Sequence, residues 1–300
     1  MSRRKVKVGI IGTGNIGTDI LLKLRRSDIL ECGMFTGRSP DSAGIKIANE
    51  LGIPTSTESV NAILNDPDCC QIVFDATSAS VHKAHAPLLK RLKKFTIDLT
   101  PAKVGKTCVP VLNLDECLKE DNVNLITCGG QAAIPIASAI SQVHPETKYI
   151  EIVATIASKS AGMGTRNNID EFTQATKNAL AEFTGIKKTK AIIILNPAEP
   201  PITMHNTIYA LIDRPEMDAI KKSVHEMEKR LQKYVPGYRV VMEPTYENGR
   251  VTTTLQVVGL GDYLPKYSGN LDIITCAAIE IAEAYASKVI GERYGQDKNI

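Results

Sequence analysis

Tryptophan is absent from this chain, and Phe and Tyr bring the aromatic share to only 5%, so its core must be packed from aliphatic side chains. A strong charge of one sign is also missing. The 36 Lys and Arg stand against 33 Asp and Glu, a formal net charge of +3, which is too small to mark a nucleic-acid-binding surface. No apolar run is long enough to span a bilayer, and Met1-Ser2-Arg3-Arg4-Lys5 enters a β-branched stretch without the apolar core of a secretion signal. Seven cysteines, at 32, 69, 70, 108, 117, 128 and 276, are odd in number and show no repeated C-x-x-C spacing. These absences argue against nucleic acid, membrane and disulfide scaffold, and for free thiols in a reducing cytoplasm. Cys69-Cys70 followed by His82 and His85 lacks the spacing of paired zinc ligands, so no metal is expected. The basic runs Lys90-Arg91-Lys93-Lys94 and Lys187-Lys188-Lys190 read as solvated helix ends or turns.

What is present is an ordinary globular composition, 43% hydrophobic and 23% charged over 300 residues, enough for two domains with their own cores. Lys5 to Ile11 is a short β-branched run that leads directly into Gly12-Thr13-Gly14-Asn15-Ile16-Gly17, and Ile20, Leu21 and Leu24 then form a helical stripe. Strand, glycine loop and helix in this order are the dinucleotide fingerprint: Gly12 permits the tight turn, Gly14 lets a pyrophosphate approach the backbone, and Gly17 lets helix and strand pack closely. The helix N-terminus then faces the phosphates. An NAD site usually carries an acid at the end of the second strand, here Leu30 to Gly37. Arg38-Ser39-Pro40 follows instead, with no acid before Asp41. Arg38 suits adenine stacking, a 2′-phosphate or a plain surface turn, which keeps NADP open beside NAD.

Helical stretches near Ala43–Leu51, Thr57–Asn65 and Val81–Leu92 alternate with apolar runs at Ile72–Ala76 and Phe95–Leu99. This is the pattern of an α/β fold with a doubly wound, mostly parallel sheet. Asp75-Ala76-Thr77-Ser78 falls at a strand C-terminal end, so Thr77 and Ser78 either line the cofactor cleft or cap a helix. After Pro145 strands follow with few crossover helices, and Asn248-Gly249 between two β-runs signals a hairpin. A second α+β domain with a largely antiparallel sheet is expected. The division predicted is 1–130 for dinucleotide binding, completed by a C-terminal helix at 270–290, and 131–269 for catalysis and dimerisation.

Asn124-Leu-Ile-Thr-Cys128-Gly-Gly-Gln131 stops a short apolar run at a cysteine, offers two glycines for a sharp turn, and precedes an Ala/Ile-rich helical segment. A thiol so placed, on the rim of the first sheet and ahead of a helix N-terminus, would have its pKa lowered and become a nucleophile. A small buried hydrophobe at the end of a core strand is the other reading. Lys159 to Asn167 is a loop of small residues with many backbone donors, suited to a phosphate or a nicotinamide amide and equally to plain loop chemistry.

As a set these residues resemble the acylating acetaldehyde dehydrogenases, the partners of 4-hydroxy-2-oxovalerate aldolase in bacterial aromatic and steroid catabolism. The resemblance runs from about Lys5 to Ala286. It is carried by Gly12 to Asp19, Asp98-Leu99-Thr100-Pro101-Ala102, Thr127 to Ala132, Ser160-Ala161-Gly162 with Gly164-Thr165-Arg166, Asn168 to Thr173, Asn196 to Pro201 and Gly269 to Ile273. It implies a two-domain fold similar to glyceraldehyde-3-phosphate and aspartate-semialdehyde dehydrogenases, and NAD-dependent oxidation of a short aldehyde to its acyl-CoA through a thioester on Cys128. It also implies a homodimer within a larger complex with the aldolase. Thr13 to Ile16, then Ser160, Ala161, Gly162, Met163, Gly164, Thr165, Arg166, Asn167 and Asn168, and finally Asn270 correspond to its cofactor contacts. Three departures stand out: Met163 and Asn167 replace Pro and Ala, Ser39 stands where many members carry the ribose-binding Asp, and Asn206 stands where several carry an Asp proposed to orient or activate the thiol. An amide orients but cannot act as a base, and His205 is a weak substitute. A semialdehyde dehydrogenase using phosphate or water, and a non-catalytic NAD(H)-binding regulator, are the alternative functions.

Overall fold

The structure, a computed structural model, describes residues 5–162, 165–166 and 169–296, with side chains as far as residue 291. Two compact units emerge, residues 1–125 with 275–300 and residues 126–274. Against the expected division at 130 and 270, Cys128 therefore belongs to the second unit, three residues after the chain leaves the first.

The first unit alternates β1 (Val6–Ile11), α1 (Asn15–Leu24), β2 (Leu30–Thr36), α2 (Ala43–Glu50), β3 (Thr55–Ser56), α3 (Val60–Asn65), β4 (Ile72–Asp75), α4 (Ala79–Arg91), β5 (Phe95–Asp98), β6 (Lys106–Thr107), α5 (Pro110–Cys117) and β7 (Asn122–Asn124). The sheet order is β3-β2-β1-β4-β5-β7-β6, and every pairing is parallel. Val6, Val8, Ile10 and Ile11 are all buried, the near-continuous apolar strand of a sheet covered on both faces. The winding reverses between β1 and β4, and the C-terminal ends of those strands form the crevice where such sheets bind ligands. β3 and β6 were not foreseen, because strands of two residues carry no readable period, nor was α5, whose helical geometry breaks at Asn113. Lys94 corrects the solvated reading of its basic run: it is buried, and its ammonium donates to the carbonyls of Pro67 and Cys70.

The second unit contains α6 (Cys128–Val143), β8 (Tyr149–Ala157), α7 (Ile169–Thr184), β9 (Thr189–Asn196), β10 (Met204–Leu211), α8 (Met217–Leu231), β11 (Tyr238–Glu247) and β12 (Arg250–Val257). Its sheet order is β11-β12-β10-β8-β9. Three pairings are antiparallel and β8 with β9 is parallel, the mixed sheet expected. Asn248 and Gly249 both take positive φ, 51° and 79°, as a two-residue hairpin requires. α6 is buried from Cys128 to Ser141, as a helix apolar on every side must be. Neighbours grip it by its backbone: the Tyr238 hydroxyl donates to the Ala132 carbonyl at 2.7 Å and Ser223 Oγ to Ala139 at 2.9 Å.

The last helix, α9 (Gly269–Gln296), belongs to the first unit from Thr275 onward. There Thr275 Oγ1 donates to Asp19 at 2.6 Å, Ser27 Oγ to Glu283 at 2.6 Å, and Tyr285 stacks on Phe95 at 4.0 Å. Asp19 also takes the buried Lys23 ammonium at 2.6 Å. Among the described residues no helix is long and apolar enough to cross a membrane.

Candidate functional site

In the first unit a cleft of about 390 Å³ is lined by Gly12, Thr13, Gly14, Gly37, Arg38, Ser39, Ser59, Ala76, Thr77, Ser78 and Val81, a volume in the range of small-ligand sites. The three fingerprint glycines differ in what a side chain would meet. At Gly12, φ is +113° and an added Cβ would lie 2.5 Å from the Ala76 carbonyl; at Gly17 it would lie 1.8 Å from the Gly12 carbonyl. At Gly14 it would meet nothing within 4 Å. Gly12 and Gly17 serve the fold, whereas Gly14 leaves room on the cleft side. Asn15 and Ile16 are the first residues of α1, after Gly14 as N-cap. That open helix N-terminus with a bare backbone before it fits a pyrophosphate.

Arg38 and Ser39 are exposed on the cleft wall, and no carboxylate is among its lining residues. Thr13 is tied to the start of α2, its hydroxyl accepting from the N-cap Ser42 Oγ at 3.0 Å. Ser39→Asp is expected to raise the NAD-over-NADP ratio of kcat/KM about ten- to hundred-fold, since one or two charge-assisted bonds to the ribose are worth about 1.5–3 kcal/mol. Steady-state kinetics with both cofactors check this, and an unmoved ratio would show that Ser39 does not face the ribose.

Thr77 is held from below by a network that sequence reading missed. Asp75 accepts from the Thr77 backbone N–H at 3.1 Å and from the Thr77 hydroxyl, and its other oxygen meets Nδ1 of His82 at 2.9 Å and of His85 at 2.8 Å. Burial alone would push Asp75 up, but these bonds outweigh it and hold the carboxyl well below its usual range. His82 loses its charge through burial less than it gains from Asp75 and from Asp98 beyond, so its pKa is raised. Spacing of 82 and 85 on one helical face was the available signal. These imidazoles serve Asp75.

Around Cys128 the structure corrects the expected local geometry. β7 ends at Asn124, and Cys128 is the first residue of α6, not the end of a strand. The sharp turn is made by Ile126, at φ +63°, and not by the glycines. A β-branched residue in the left-handed region stores about 1–3 kcal/mol. Gly129 and Gly130 instead allow close packing: a Cβ at 129 would come 3.2 Å from Ala154 and 3.4 Å from the Phe172 ring, and one at 130 would come 3.0 Å from Thr127 Oγ1.

Thr127 caps α6 by accepting from the Gly130 N–H at 3.0 Å, worth about 1 kcal/mol, and its carbonyl accepts from Gln131 N at 2.9 Å. The N–H groups of Cys128 and Gly129 are thereby left to face the thiol. They were expected to lower its pKa, and that expectation is overturned. Burial dominates and pushes the Cys128 thiol up to about 12, with the two backbone bonds only partly opposing it. Desolvating a thiolate costs more than two neutral donors return.

Asn206, on β10, is fully buried and donates Nδ2 to the Gly129 carbonyl at 3.2 Å. It thus touches the first turn of α6. His205 lies on the opposite face of the same strand, bonded to Thr203 and Gln256, which removes it as a substitute. After β8, Ser160 is buried with its hydroxyl on the Ala157 carbonyl, and Asn270 Nδ2 reaches the Ser160 carbonyl at 3.3 Å. Arg166 binds the same turn through the Ala161 and Ser158 carbonyls at 3.1 and 2.6 Å, and Thr165 beside it is helical. Ser160, Ala161, Gly162, Arg166 and Asn270 therefore form one cluster; Met163, Gly164, Asn167 and Asn168 lie outside the described residues.

Comparison with known proteins agrees with this layout. Residues 7–119 match the family described as semialdehyde dehydrogenase, NAD binding domain, and residues 128–265 match prokaryotic acetaldehyde dehydrogenase, dimerisation. The fold is similar to that of aspartate semialdehyde dehydrogenase II from Vibrio cholerae, at a TM-score of 0.62 with 11% identity, covering 93% of this chain and 98% of that one. The acetaldehyde dehydrogenase of Pectobacterium atrosepticum is 56% identical over 98% of both chains. That of Geobacillus stearothermophilus is 56% identical over 94% of this chain and 96% of its own, and acetaldehyde dehydrogenase 2 of Burkholderia vietnamiensis is 51% identical over 96% of each. With a nucleotide cleft in one unit, a capped cysteine opening a buried helix in the other, and identity above one half along nearly its whole length, this chain belongs to the acetaldehyde dehydrogenase family.

Proposed function

We propose that the chain oxidises acetaldehyde, and similar short aldehydes, to acyl-CoA with NAD through a thioester on Cys128. The observation that carries the site assignment is the thiol at the first position of α6 with the Cys128 and Gly129 N–H groups turned toward it. Gly12 to Gly17, Arg38, Thr77 and Ser78 are the residues that would hold the nucleotide half of NAD, and the Ser160 to Asn168 loop with Asn270 those that would meet its nicotinamide. When bound, the oxidised cofactor supplies a hydride acceptor and a positive charge that favours a thiolate.

Cys128 releases its thiol proton to solvent, and the resulting thiolate attacks the aldehyde carbon. The carbonyl oxygen takes up the electron pair and is stabilised by the N–H groups at the start of α6. Loss of hydride from the substrate carbon turns the thiohemiacetal into a thioester. The coenzyme A thiol then adds to that thioester and expels the Cys128 thiolate, releasing acyl-CoA. Asn206 contributes orientation alone, because an amide takes no proton near neutral pH. Ping-pong kinetics are expected.

Supplying acetaldehyde and NAD with coenzyme A, with phosphate or with buffer alone, and following NADH, separates this reading from a phosphate- or water-using enzyme. Sustained turnover only with coenzyme A supports it. Turnover with phosphate or buffer overturns the acceptor, and no NADH in any arm leaves a nucleotide-binding regulator. The dimerisation match over 128–265 supports a homodimer. Association with an aldolase that delivers the aldehyde is part of the same proposal, read by co-purification and by failure of a bulk aldehyde trap to intercept transfer. Seven free thiols support a cytoplasmic setting.

A further inference from the structure

Beside the thiol lies a chain of hydroxyls whose direction is fixed by counting protons. Thr176, on α7, donates its hydroxyl proton to the Phe172 carbonyl at 2.9 Å. Its oxygen lies 2.7 Å from Thr127 Oγ1, and having spent its proton it can only accept there. Thr127 must then donate to Thr176, which turns the Thr127 lone pairs toward the Gly130 N–H at 3.0 Å. Both residues are buried, Thr127 at 4% and Thr176 at 1% exposure, so no water competes for these protons. The relay runs one way, from Gly130 N–H through Thr127 and Thr176 to Phe172, and the Phe172 ring also closes on Gly129.

We propose that Thr176 is a positioning residue for Cys128: by accepting from Thr127 it locks the cap of α6 and so holds the two backbone N–H groups that face the thiol. The lock matters because the turn before it is strained at Ile126. Removing the acceptor leaves the Thr127 hydroxyl as an unsatisfied buried donor, which favours a rotamer that abandons Gly130. The strain at Ile126 is of the same size as the cap that opposes it, so the first turn of α6 then relaxes and its N–H groups leave the sulfur.

This inference rests on Cys128 as the nucleophile, and the test keeps the two apart. Thr176→Val removes the hydroxyl at constant shape and Thr176→Ser restores it. Thr184→Val is the control, since Thr184 makes the same back-bond on α7, to Leu180 at 2.6 Å, away from the relay. Alkylation of Cys128 by iodoacetamide, followed on its own peptide by mass spectrometry across pH, reports the thiol whether or not it turns over substrate. For Thr176→Val the alkylation rate at a fixed alkaline pH is expected to fall about tenfold and kcat about ten- to hundred-fold, with KM for acetaldehyde within about twofold. Thr176→Ser should stay within about twofold of the parent, and Thr184→Val should lower thermal stability without moving either quantity. A parental alkylation rate and kcat in Thr176→Val, or an equal fall in Thr184→Val, overturns the proposal. Should Thr176→Val not fold, Thr176→Ala carries the same readout. Turnover by Cys128→Ala would sink the nucleophile and leave the relay to be judged by alkylation.

Discussion

Cys128→Ala is expected to reduce acetaldehyde oxidation to below about one hundredth of the parent rate while leaving NAD affinity within about twofold, because a covalent step is lost and the nucleotide cleft is lined by other residues. Cys128→Ser should fall nearly as far, since a hydroxyl is the weaker nucleophile and lies further from ionisation. Single-turnover NADH formation checks the rate, and fluorescence titration checks the affinity. Retention of more than about a hundredth of the rate in either variant would remove Cys128 as the nucleophile. The pH dependence has a definite sign. With burial pushing the thiol up to about 12, the unliganded chain holds it protonated at neutral pH, and alkylation should accelerate throughout the alkaline range. An alkylation rate already flat at pH 7 would mean that the helix N-terminus overcomes desolvation after all.

Gly17→Ala and Gly14→Ala should separate the two jobs of the glycine loop. A Cβ at 17 would sit 1.8 Å from the Gly12 carbonyl, a backbone atom that cannot swing aside. The substitution is expected to cost about 3 kcal/mol or more, a fall in melting temperature of roughly 6–12 °C, and nucleotide binding with it. At 14 the backbone is already extended, φ −82° and ψ −165°, and the methyl would meet no protein atom within 4 Å. Stability should stay within about 0.5 kcal/mol, whereas NAD affinity drops at least about tenfold, because the methyl occupies the approach of the pyrophosphate. Calorimetric melting and isothermal titration read the two effects independently. Equal losses of stability at both positions would contradict this division of roles.

Much of the fold was legible because it rests on local periodicity. The β-branched run before Gly12, the alternation of strands and helices to Leu99, and Asn248-Gly249 between two β-runs each carry their instruction within a dozen residues. The family setting was legible for a similar reason, since motifs are strings of neighbours. The unit boundary and the strands of two residues were not, because they arise between segments distant along the chain, and the Asp75–His82–His85 contacts were not because they depend on how β4 and α4 are set against each other in the fold.

The stretch from Asn124 to Gln131 shows the division most sharply. Sequence alone determined that a cysteine stands before two glycines and an apolar helix, and that an amide at 206 can supply no base. Only tertiary structure decided that Ile126 makes the turn, that Gly129 and Gly130 admit Ala154, Phe172 and Thr127 to close contact, and that the thiol is driven up in pKa. The reason is physical. Helix and turn propensities act through neighbouring residues, whereas desolvation, steric room and the direction of a hydroxyl proton are set by whatever the rest of the fold brings within a few ångströms.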